Sequence, residues 1–518
     1  MSKKASPALF ELISSMSKSE KRYFKLFASR HTIGEENNYI RIFDFIESQE
    51  VFNDEEIHDN FKGEAFLNKF SITKNRLYDQ VMKSLDSFHS GASIDAQIYK
   101  LLHGGQILYN KGLYDHAKRQ LKSAEKLAKK HNRDILIQEI AIQQKKIIET
   151  EGYKNHDLKE LEEIRLKDQE NHLQIHYYDE LWFLKSKLFN HMNRKGKSRS
   201  DADLEVFKSI FLSYRKLKKP KTMGFEVEYL TNHFESAYYF AILDAKMSLK
   251  FMEKNLSLMK NTSKAIQSVP NKYFSILTNI IHLETANGNY KNVHQYLKEL
   301  KSFKQEYKIN SSEDLDIKLF SSINSIELMI HIHRAEFEKA IVLEPIIKEG
   351  FRLYEDAITP LRKAYLSFNL AVAFFGVDDY NKSLCWVNNV LNDSELDEKE
   401  DIIAFAQILN LIIHFELNND QLLPYALKST MRFLKKRDRS YKFETIFLKQ
   451  IRKISNATDR FEVEQIFADI EKDIEEIAND PFESVALEYF DFKSWLKSKL
   501  KKQSFKVIKR ESFLAQAS

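Results

Sequence analysis

Turn-forming residues are scarce in this chain of 518 residues, which contains 12 glycines and 7 prolines. A strand-rich fold needs a turn about every ten residues, and the sequence does not supply turns at that rate. No segment shows sustained alternation of apolar and polar residues either. These absences exclude a β-sandwich or a β-barrel and predict an all-α fold.

Cysteine is nearly absent too, since Cys385 is the only one in the chain. A single cysteine excludes an internal disulfide framework and a metal site built from cysteines, and it suits a reducing compartment. Cys385 lies between Leu384 and Trp386 in a helical pattern. We therefore expect it to be a small core residue rather than a nucleophile.

Long hydrophobic runs are also missing. A membrane-spanning helix needs about 18 or more apolar residues in succession, and no such run occurs. Glu11 interrupts the short apolar run Ala8–Phe10, so the first residues lack the core of a signal peptide. We expect a cytoplasmic protein without a membrane span.

Apolar and charged residues are both plentiful. Hydrophobic residues make up 43% of the chain and aromatic residues 12%, which suffices for a continuous core and argues against disorder. Balancing 80 basic against 75 acidic residues leaves a net charge of +5, which neither requires nor excludes nucleic acid. The length exceeds that of a usual single-core domain, so we expect several domains or an extended repeat array.

The stretch 95–132 has the pattern of two amphipathic helices joined by a tight turn. Small residues stand where the two helices must approach closely, and larger apolar or aromatic residues surround them. The residues of this pattern are Gly105, Leu108, Gly112, Tyr114, Ala117, Leu121 and Ala124. The pattern resembles a tetratricopeptide (TPR) helical hairpin. Such a hairpin cannot bury its own apolar face, so the resemblance implies stacked neighbours.

Related turns recur later in the chain, each with an aromatic residue and two of them with a small residue three positions after it. The clearest copies place Tyr290, Phe337 with Ala340, and Tyr380 with Ser383 at these positions. The three aromatic residues lie 47 and 43 residues apart, whereas the standard TPR period is about 34. The resemblance therefore implies a TPR-like α-solenoid with lengthened helices, wound as a right-handed superhelix.

The predicted organisation has four parts. Residues 1–90 form an N-terminal helical domain, 91–440 the TPR-like solenoid, 441–500 a C-terminal helical cap, and 501–518 a basic tail. The N-terminal domain has two interpretations, because a repeat array needs a capping element and because its helices are also compatible with a helix-turn-helix or winged-helix DNA reader.

In the DNA-reader interpretation, a helix beginning near Thr73 would present its first residues to base edges. The residues predicted to contact nucleic acid are Lys74, Asn75, Arg76 and Lys83. The near-equal numbers of acids and bases in 1–90 favour the capping interpretation.

No catalytic signature emerges from the sequence. Phosphate-binding loops and the common hydrolase, metalloprotease and kinase motifs are missing. His172 and His176 are four residues apart, but no third metal ligand accompanies them, so we interpret them as a surface coincidence. We expect no catalytic residue, no metal site and no cofactor.

The sequence therefore favours a non-enzymatic scaffold or adaptor that binds a protein or peptide in the groove of the solenoid. The alternative is a transcriptional regulator in which 1–90 binds DNA and the solenoid acts as a sensor. The identity of the protein or peptide partner does not follow from the residues.

Overall fold

The computed structural model describes residues 7–29, 37–49, 51–89, 91, 93–131, 133–154, 156–195, 197–198, 200–262, 264–309, 312–396, 401–436, 442–457, 460–478, 480, 483 and 489–517. All regular secondary structure in these residues is helical, in agreement with the predicted all-α class. The chain divides into two compact units, residues 1–175 (unit 1) and 176–518 (unit 2).

Unit 1 begins with short helices and continues with long helical hairpins. Its helices are α1 (Ala8–Ser15), α2 (Lys18–Ser29), α3 (Asn38–Ser48), α4 (Asp54–Asn60), a 3-10 helix (Ala65–Lys69), α5 (Phe70–His89), α6 (Ile94–Asn110), α7 (Tyr114–Lys130) and α8 (Asp134–Thr150). The division between the units falls within α9 (Leu158–Lys195).

The first five α-helices of unit 1 enclose one apolar core. Phe24, Phe43 and Leu77 are fully buried in it, and the Phe24 and Phe43 rings lie 4.4 Å apart. Side-chain caps begin three of these helices, because Ser17 caps α2, Asn37 accepts from the Tyr39 amide and Asn53 caps α4. This core is distinct in composition from the hairpin core that α6, α7 and α8 share.

Unit 2 continues the pattern of helical hairpins. Its helices after α9 are α10 (Asp201–Arg215), α11 (Phe225–Ala241), α12 (Ala245–Asn261), α13 (Ala265–Ser268), α14 (Pro270–Ala286), α15 (Tyr290–Glu306), α16 (Glu313–His333), α17 (Phe337–Ile341), α18 (Glu344–Tyr354), a 3-10 helix (Glu355–Ala357), α19 (Pro360–Gly376), α20 (Tyr380–Leu391), α21 (Asp401–Glu416), α22 (Leu423–Lys436), α23 (Lys442–Asn456), α24 (Arg460–Ala478), α25 (Phe492–Lys501) and α26 (Phe505–Ala517).

The hairpins of unit 2 pack on one another in chain order. The first helix of a hairpin contacts its own second helix and the first helix of the next hairpin, as in the series α14, α16, α19 and α21. A helix with neighbours on both sides must be apolar around most of its circumference. Accordingly, α19 and α21 are buried along nearly their whole length.

One backbone motif ends the first helix of at least six hairpins in the described residues. A residue in the left-handed conformation follows the helix, and the next residue donates its amide to the carbonyl five positions earlier, which is the Schellman arrangement. The Glu336 amide, for example, donates to the His331 carbonyl at 2.8 Å. The left-handed residues are Gly112, Leu243, Gly288, Ala335, Asp378 and Asn418. The turn therefore has the same backbone geometry even where a residue other than glycine occupies the left-handed position.

The second helix of the α16 hairpin is broken into α17 and α18. Pro345 has no amide hydrogen for the carbonyl of Ile341, and its ring would clash with that carbonyl in a continuous helix. The chain therefore leaves the helix after Ile341 and starts again at Glu344.

Helix α26 lies across three earlier hairpins. The Phe505 ring lies 5.7 Å from Phe337 and 5.4 Å from Phe375, and the Phe513 ring lies 5.4 Å from Tyr290. Residues 501–518, which the sequence suggests as a basic tail, therefore include a helix with a buried apolar side. No helix in the described residues is both long enough and apolar enough to cross a membrane.

Candidate functional site

The first helices of three successive hairpins border an open cavity of about 230 Å³ in unit 2. Helices α14, α16 and α19 each contribute one side of it. Hydroxyl groups dominate the lining, together with one guanidinium group, one imidazole and two apolar side chains. The lining residues are Thr278, His282, Ser321, Ser322, Ser325, Ile326, Met329, Arg362 and Tyr365.

Helical spacing brings these side chains to one side of each helix. Thr278 and His282 are four residues apart on α14, and Ser325 and Met329 are four apart on α16. The opposite sides of the same helices carry the buried apolar residues of unit 2. The cavity is therefore the polar side of helices whose other side forms the core.

Some hydroxyl groups of the cavity already donate hydrogen bonds to backbone carbonyls. Thr278 donates to the Phe274 carbonyl at 3.1 Å, and Ser321 donates to the Ile317 carbonyl at 2.9 Å. The hydroxyls of Ser322 and Ser325, by contrast, have no hydrogen-bond partner among the described residues. Ser322 and Ser325 can therefore both donate to a ligand.

Arg362 supplies the positive charge of the cavity. It is partly buried near the start of α19, and its guanidinium forms neither an ion pair nor a hydrogen bond within the described part of the chain. The nearby Asp314 is occupied by Lys318, at 2.6 Å, and by Asn271, at 3.2 Å. The hydrogen bond from Lys318 lowers the pKa of Asp314, and the charge of Arg362 adds to the effect.

A second group of basic side chains lies where α9, α11 and α14 meet. Lys272 forms an ion pair with Glu226 and lies 4.6 Å from the centre of the Tyr229 ring. Lys185 lies 5.6 Å from the centre of the Phe189 ring. Burial lowers the pKa of Lys185, and the charge of Lys272 lowers it further.

His233 lies between two aromatic rings of this group. Its ring is nearly parallel to Phe189 at 5.8 Å and to Tyr229 at 6.0 Å. Its Nδ1 atom is buried without a hydrogen-bond partner among the described residues. Burial lowers the pKa of His233 to about 4, with contributions from Lys185 and Lys272, so the ring is neutral at physiological pH.

The predicted repeat-packing residues of unit 1 lie in the α6–α7 hairpin. A Cβ atom at Gly105 would lie 3.1 Å from Leu121 Cδ2, so the helices approach closely there. Gly112 adopts a φ of +73°, Ala117 is fully buried, and the Tyr114 ring lies 5.6 Å from Tyr109. These residues act on the packing of the hairpin and do not line the cavity.

The predicted repeat-packing residues of unit 2 also lie at hairpin turns. Phe337 and Ala340 are fully buried, and Tyr290 contacts α26. The Tyr380 hydroxyl donates to Asp378, while the buried Ser383 donates to the Ala371 carbonyl at 2.7 Å. None of these side chains lines the cavity between α14, α16 and α19.

The residues predicted for nucleic-acid binding all lie on α5, but they do not begin it. The helix starts at Phe70, three residues before the expected start near Thr73. Phe70 is buried, and its ring lies 5.0 Å from the His58 ring. Lys74 is partly buried and pairs with Asp54 at 2.9 Å. The side chains exposed on α5 include those of Asn75, Arg76 and Lys83.

The histidine pair and the cysteine have surface positions. His172 and His176 are exposed on α9, and His172 contacts Gln138 at 3.3 Å. The described residues contain no group of three or more metal-binding side chains. Cys385 is exposed, so its predicted core position was wrong: the buried side of α20 is formed by Ser383, Trp386 and Val387.

The cavity residues were not recognised in the sequence. Arg362, Ser322 and Thr278 come from three helices and are separated by long intervals, and each is unremarkable in its local pattern. A usable signal would have been the polar side of otherwise apolar first helices. That signal needs the hairpin order, which places α14, α16 and α19 side by side.

Comparisons with known proteins add little to this picture. No protein family model matches the chain. No curated protein matches it either. Among solved structures, the chain is similar to the apo form of RapI, with a TM-score of 0.39, 12% sequence identity, and coverage of 75% of this chain and 99% of that chain.

Proposed function

We propose that this protein is a non-enzymatic scaffold or adaptor of the TPR-like class, which binds a peptide segment of a protein partner in the cytoplasm. The observation that carries the proposal is the cavity between α14, α16 and α19, where Ser322, Ser325 and Arg362 retain free donors. Three first helices present this polar side in succession, so an extended segment can cross all of them.

The chemistry of the lining suits a peptide. Hydroxyl and guanidinium donors can bond to carbonyl or acidic groups of a bound segment, and Ile326 with Met329 offers apolar contact to its side chains. Methionine adapts its shape to different partners, which is useful in a recognition surface. A mixed lining of this kind favours a segment that carries both polar and apolar groups.

A peptide library tests this function. The full chain is immobilised and exposed to a library of random 12-residue peptides in unmodified and phosphorylated forms, in parallel with the variants Ser325→Trp and Ser257→Trp. The first variant fills the cavity, and the second places the same ring on an exposed position of α12. We expect to select peptides that bind saturably to the wild type and to Ser257→Trp but do not bind to Ser325→Trp.

Equal binding to both variants would move the site away from the cavity. A failure to select any saturable peptide with the wild type would refute the function. Circular dichroism of both variants establishes that each retains its helices.

The second candidate is a transcriptional regulator, which the exposure of Arg76 and Lys83 on α5 favours. Contacts to phosphates make binding to DNA steeply dependent on salt. The test is the affinity for duplex DNA at several salt concentrations, for the wild type and for Arg76→Ala with Lys83→Ala. Binding that is insensitive to salt and to both substitutions would exclude this candidate.

A further inference from the structure

The hydrogen-bond donors of the cavity that have no partner in the described residues lie on two helices. Ser322 and Ser325 are three residues apart on α16, and Arg362 faces the same cavity from α19. A guanidinium offers several N–H groups in a fixed plane, and each serine hydroxyl adds one more donor. The site can therefore donate at least four hydrogen bonds to one group.

The charge of the lining favours an anion. Arg362 is the permanently cationic side chain among the lining residues, which also include His282, and no carboxylate lines the cavity. Asp314 lies outside the lining and is held by Lys318 and Asn271. Partial burial of Arg362 strengthens its attraction for an anion, because solvent screens it less than an exposed arginine.

The number of donors distinguishes between anions. A carboxylate has two oxygen atoms, whereas a phosphate monoester carries three strongly accepting oxygens and a charge of about −1.5 to −2 at neutral pH. A tetrahedral group can bond to Arg362 through two oxygens and to the serine hydroxyls through the third. Ile326 and Met329 remain available to the carrier of the phosphate.

We propose that this cavity is a binding site for a phosphate monoester, held by Arg362 and by the hydroxyls of Ser322 and Ser325. The source that we favour is a phosphorylated side chain of the bound peptide, and in this respect the inference rests on the proposed function. A small phosphorylated molecule offers the same chemistry, and the experiment separates the two sources.

The test follows the side-chain Nε–Hε resonance of Arg362 in the full chain labelled with ¹⁵N-arginine. Its assignment comes from Arg362→Lys, in which the resonance is lost. The probes are inorganic phosphate, N-acetylphosphoserine amide, N-acetylglutamate amide and glucose 6-phosphate. Each is titrated at constant ionic strength, so that general screening does not imitate binding.

We expect the Arg362 resonance to shift saturably with the phosphate probes and to prefer phosphoserine over glutamate by at least about tenfold, since hydrogen bonds to charged groups are strong. Ser322→Ala with Ser325→Ala should weaken phosphoserine binding by about tenfold. Binding measured by calorimetry should disappear in Arg362→Gln. The control Arg352→Gln, at an exposed arginine paired with Glu349, should retain it.

Different failures have different meanings. Equal affinity for glutamate and phosphoserine, or an Arg362 resonance unmoved by every phosphate probe, would overturn the phosphate site. If peptides from the library still bind to the wild type and do not bind to Ser325→Trp, that result leaves the scaffold function supported. Phosphate binding with no selected peptide, and tighter binding of glucose 6-phosphate, would keep the phosphate site but refute the peptide function.

Discussion

The two units use similar hairpins but enclose their first helices to different extents. In unit 1, the buried residues of α6 are Ile98, Leu102 and Gly105. In unit 2, α19 is buried from Ala364 to Gly376 with few interruptions. The difference arises because α19 lies between the first helices α16 and α21, whereas α6 shares its core with α7 and α8. Equal local patterns thus lead to different burial when the neighbours differ.

The aromatic residues after the turns show this contrast at one position. Tyr114 of unit 1 follows Gly112 and is only partly buried. Phe337 of unit 2 follows Ala335 at the same spacing, but it is fully buried against Phe505 of α26. Phe337 is therefore enclosed within the core of unit 2, whereas Tyr114 packs only at the edge of the α6–α8 core.

The largest effect should come from removing this buried ring. Phe337→Ala should destabilise unit 2 by about 3–5 kcal/mol, because it leaves a large cavity in a packed core. Tyr114→Ala should cost only about 1 kcal/mol in unit 1. Hydrogen exchange of peptides from α17–α20 and α6–α7 measures the two effects separately. Equal losses at the two turns would contradict the difference in burial.

A smaller effect is expected from the protonation of His233 in unit 2. The pKa of His233 is about 6.5 when the chain is unfolded and about 4 when the chain is folded. This histidine therefore contributes no pH dependence to the stability well above pH 6.5. Below that pH the unfolded state takes up the proton first. The contribution of His233 to stability should therefore fall by about 3 kcal/mol between pH 6.5 and 4 and change no further below this range.

The measurement is urea denaturation of the wild type and of His233→Gln at pH 7.5, 5.5 and 4.5. The stability of His233→Gln should not show the part of the decline that protonation of this histidine causes. The control is His116→Gln, at an exposed histidine of α7 in unit 1, which should keep the wild-type pH dependence. A His233→Gln profile parallel to that of the wild type would show that this histidine is not responsible.

Two glycine substitutions should change stability in opposite directions. A Cβ atom at Gly376 of α19 would lie 2.3 Å from ring atoms of Phe337, so Gly376→Ala should cost about 1–3 kcal/mol. At Gly104 of α6 the nearest atom would be Gln120 Cδ, at 4.0 Å. Gly104→Ala should therefore stabilise unit 1 by about 0.5–1 kcal/mol, through better helix propensity. Thermal unfolding of both variants checks the two signs, and a stabilising Gly376→Ala would contradict the tight packing.

The sequence predicted the helical class and the α6–α7 hairpin because local signals determine both. Gly112 and Tyr114 identify the turn directly. The α11–α12 hairpin has no such marker, since Leu243 occupies the left-handed position where the other recognised turns have glycine or a small or polar residue. Its conformation depends on the packing of both helices, which a local pattern does not contain.

The candidate site could not be predicted from the sequence for a similar reason. Arg362 becomes distinctive only because Asp314 is occupied by Lys318 and because α16 places Ser322 and Ser325 opposite it. The break at Pro345 and the exposure of Cys385 could have been anticipated with more attention to helix geometry. The TPR-like class, the right-handed superhelix, the predicted domain boundaries and the DNA-binding alternative stay predictions.

Helix α26 joins parts of unit 2 that are distant in sequence. In an open array each hairpin contacts only its neighbours, so unfolding can start at one end and proceed hairpin by hairpin. The ion pair of Lys506 with Glu338 connects residues 168 positions apart, and Phe513 reaches back to Tyr290. Melting of any of these hairpins removes support from α26, and its loss weakens the others. The three hairpins under α26 should therefore unfold as one cooperative block instead of fraying.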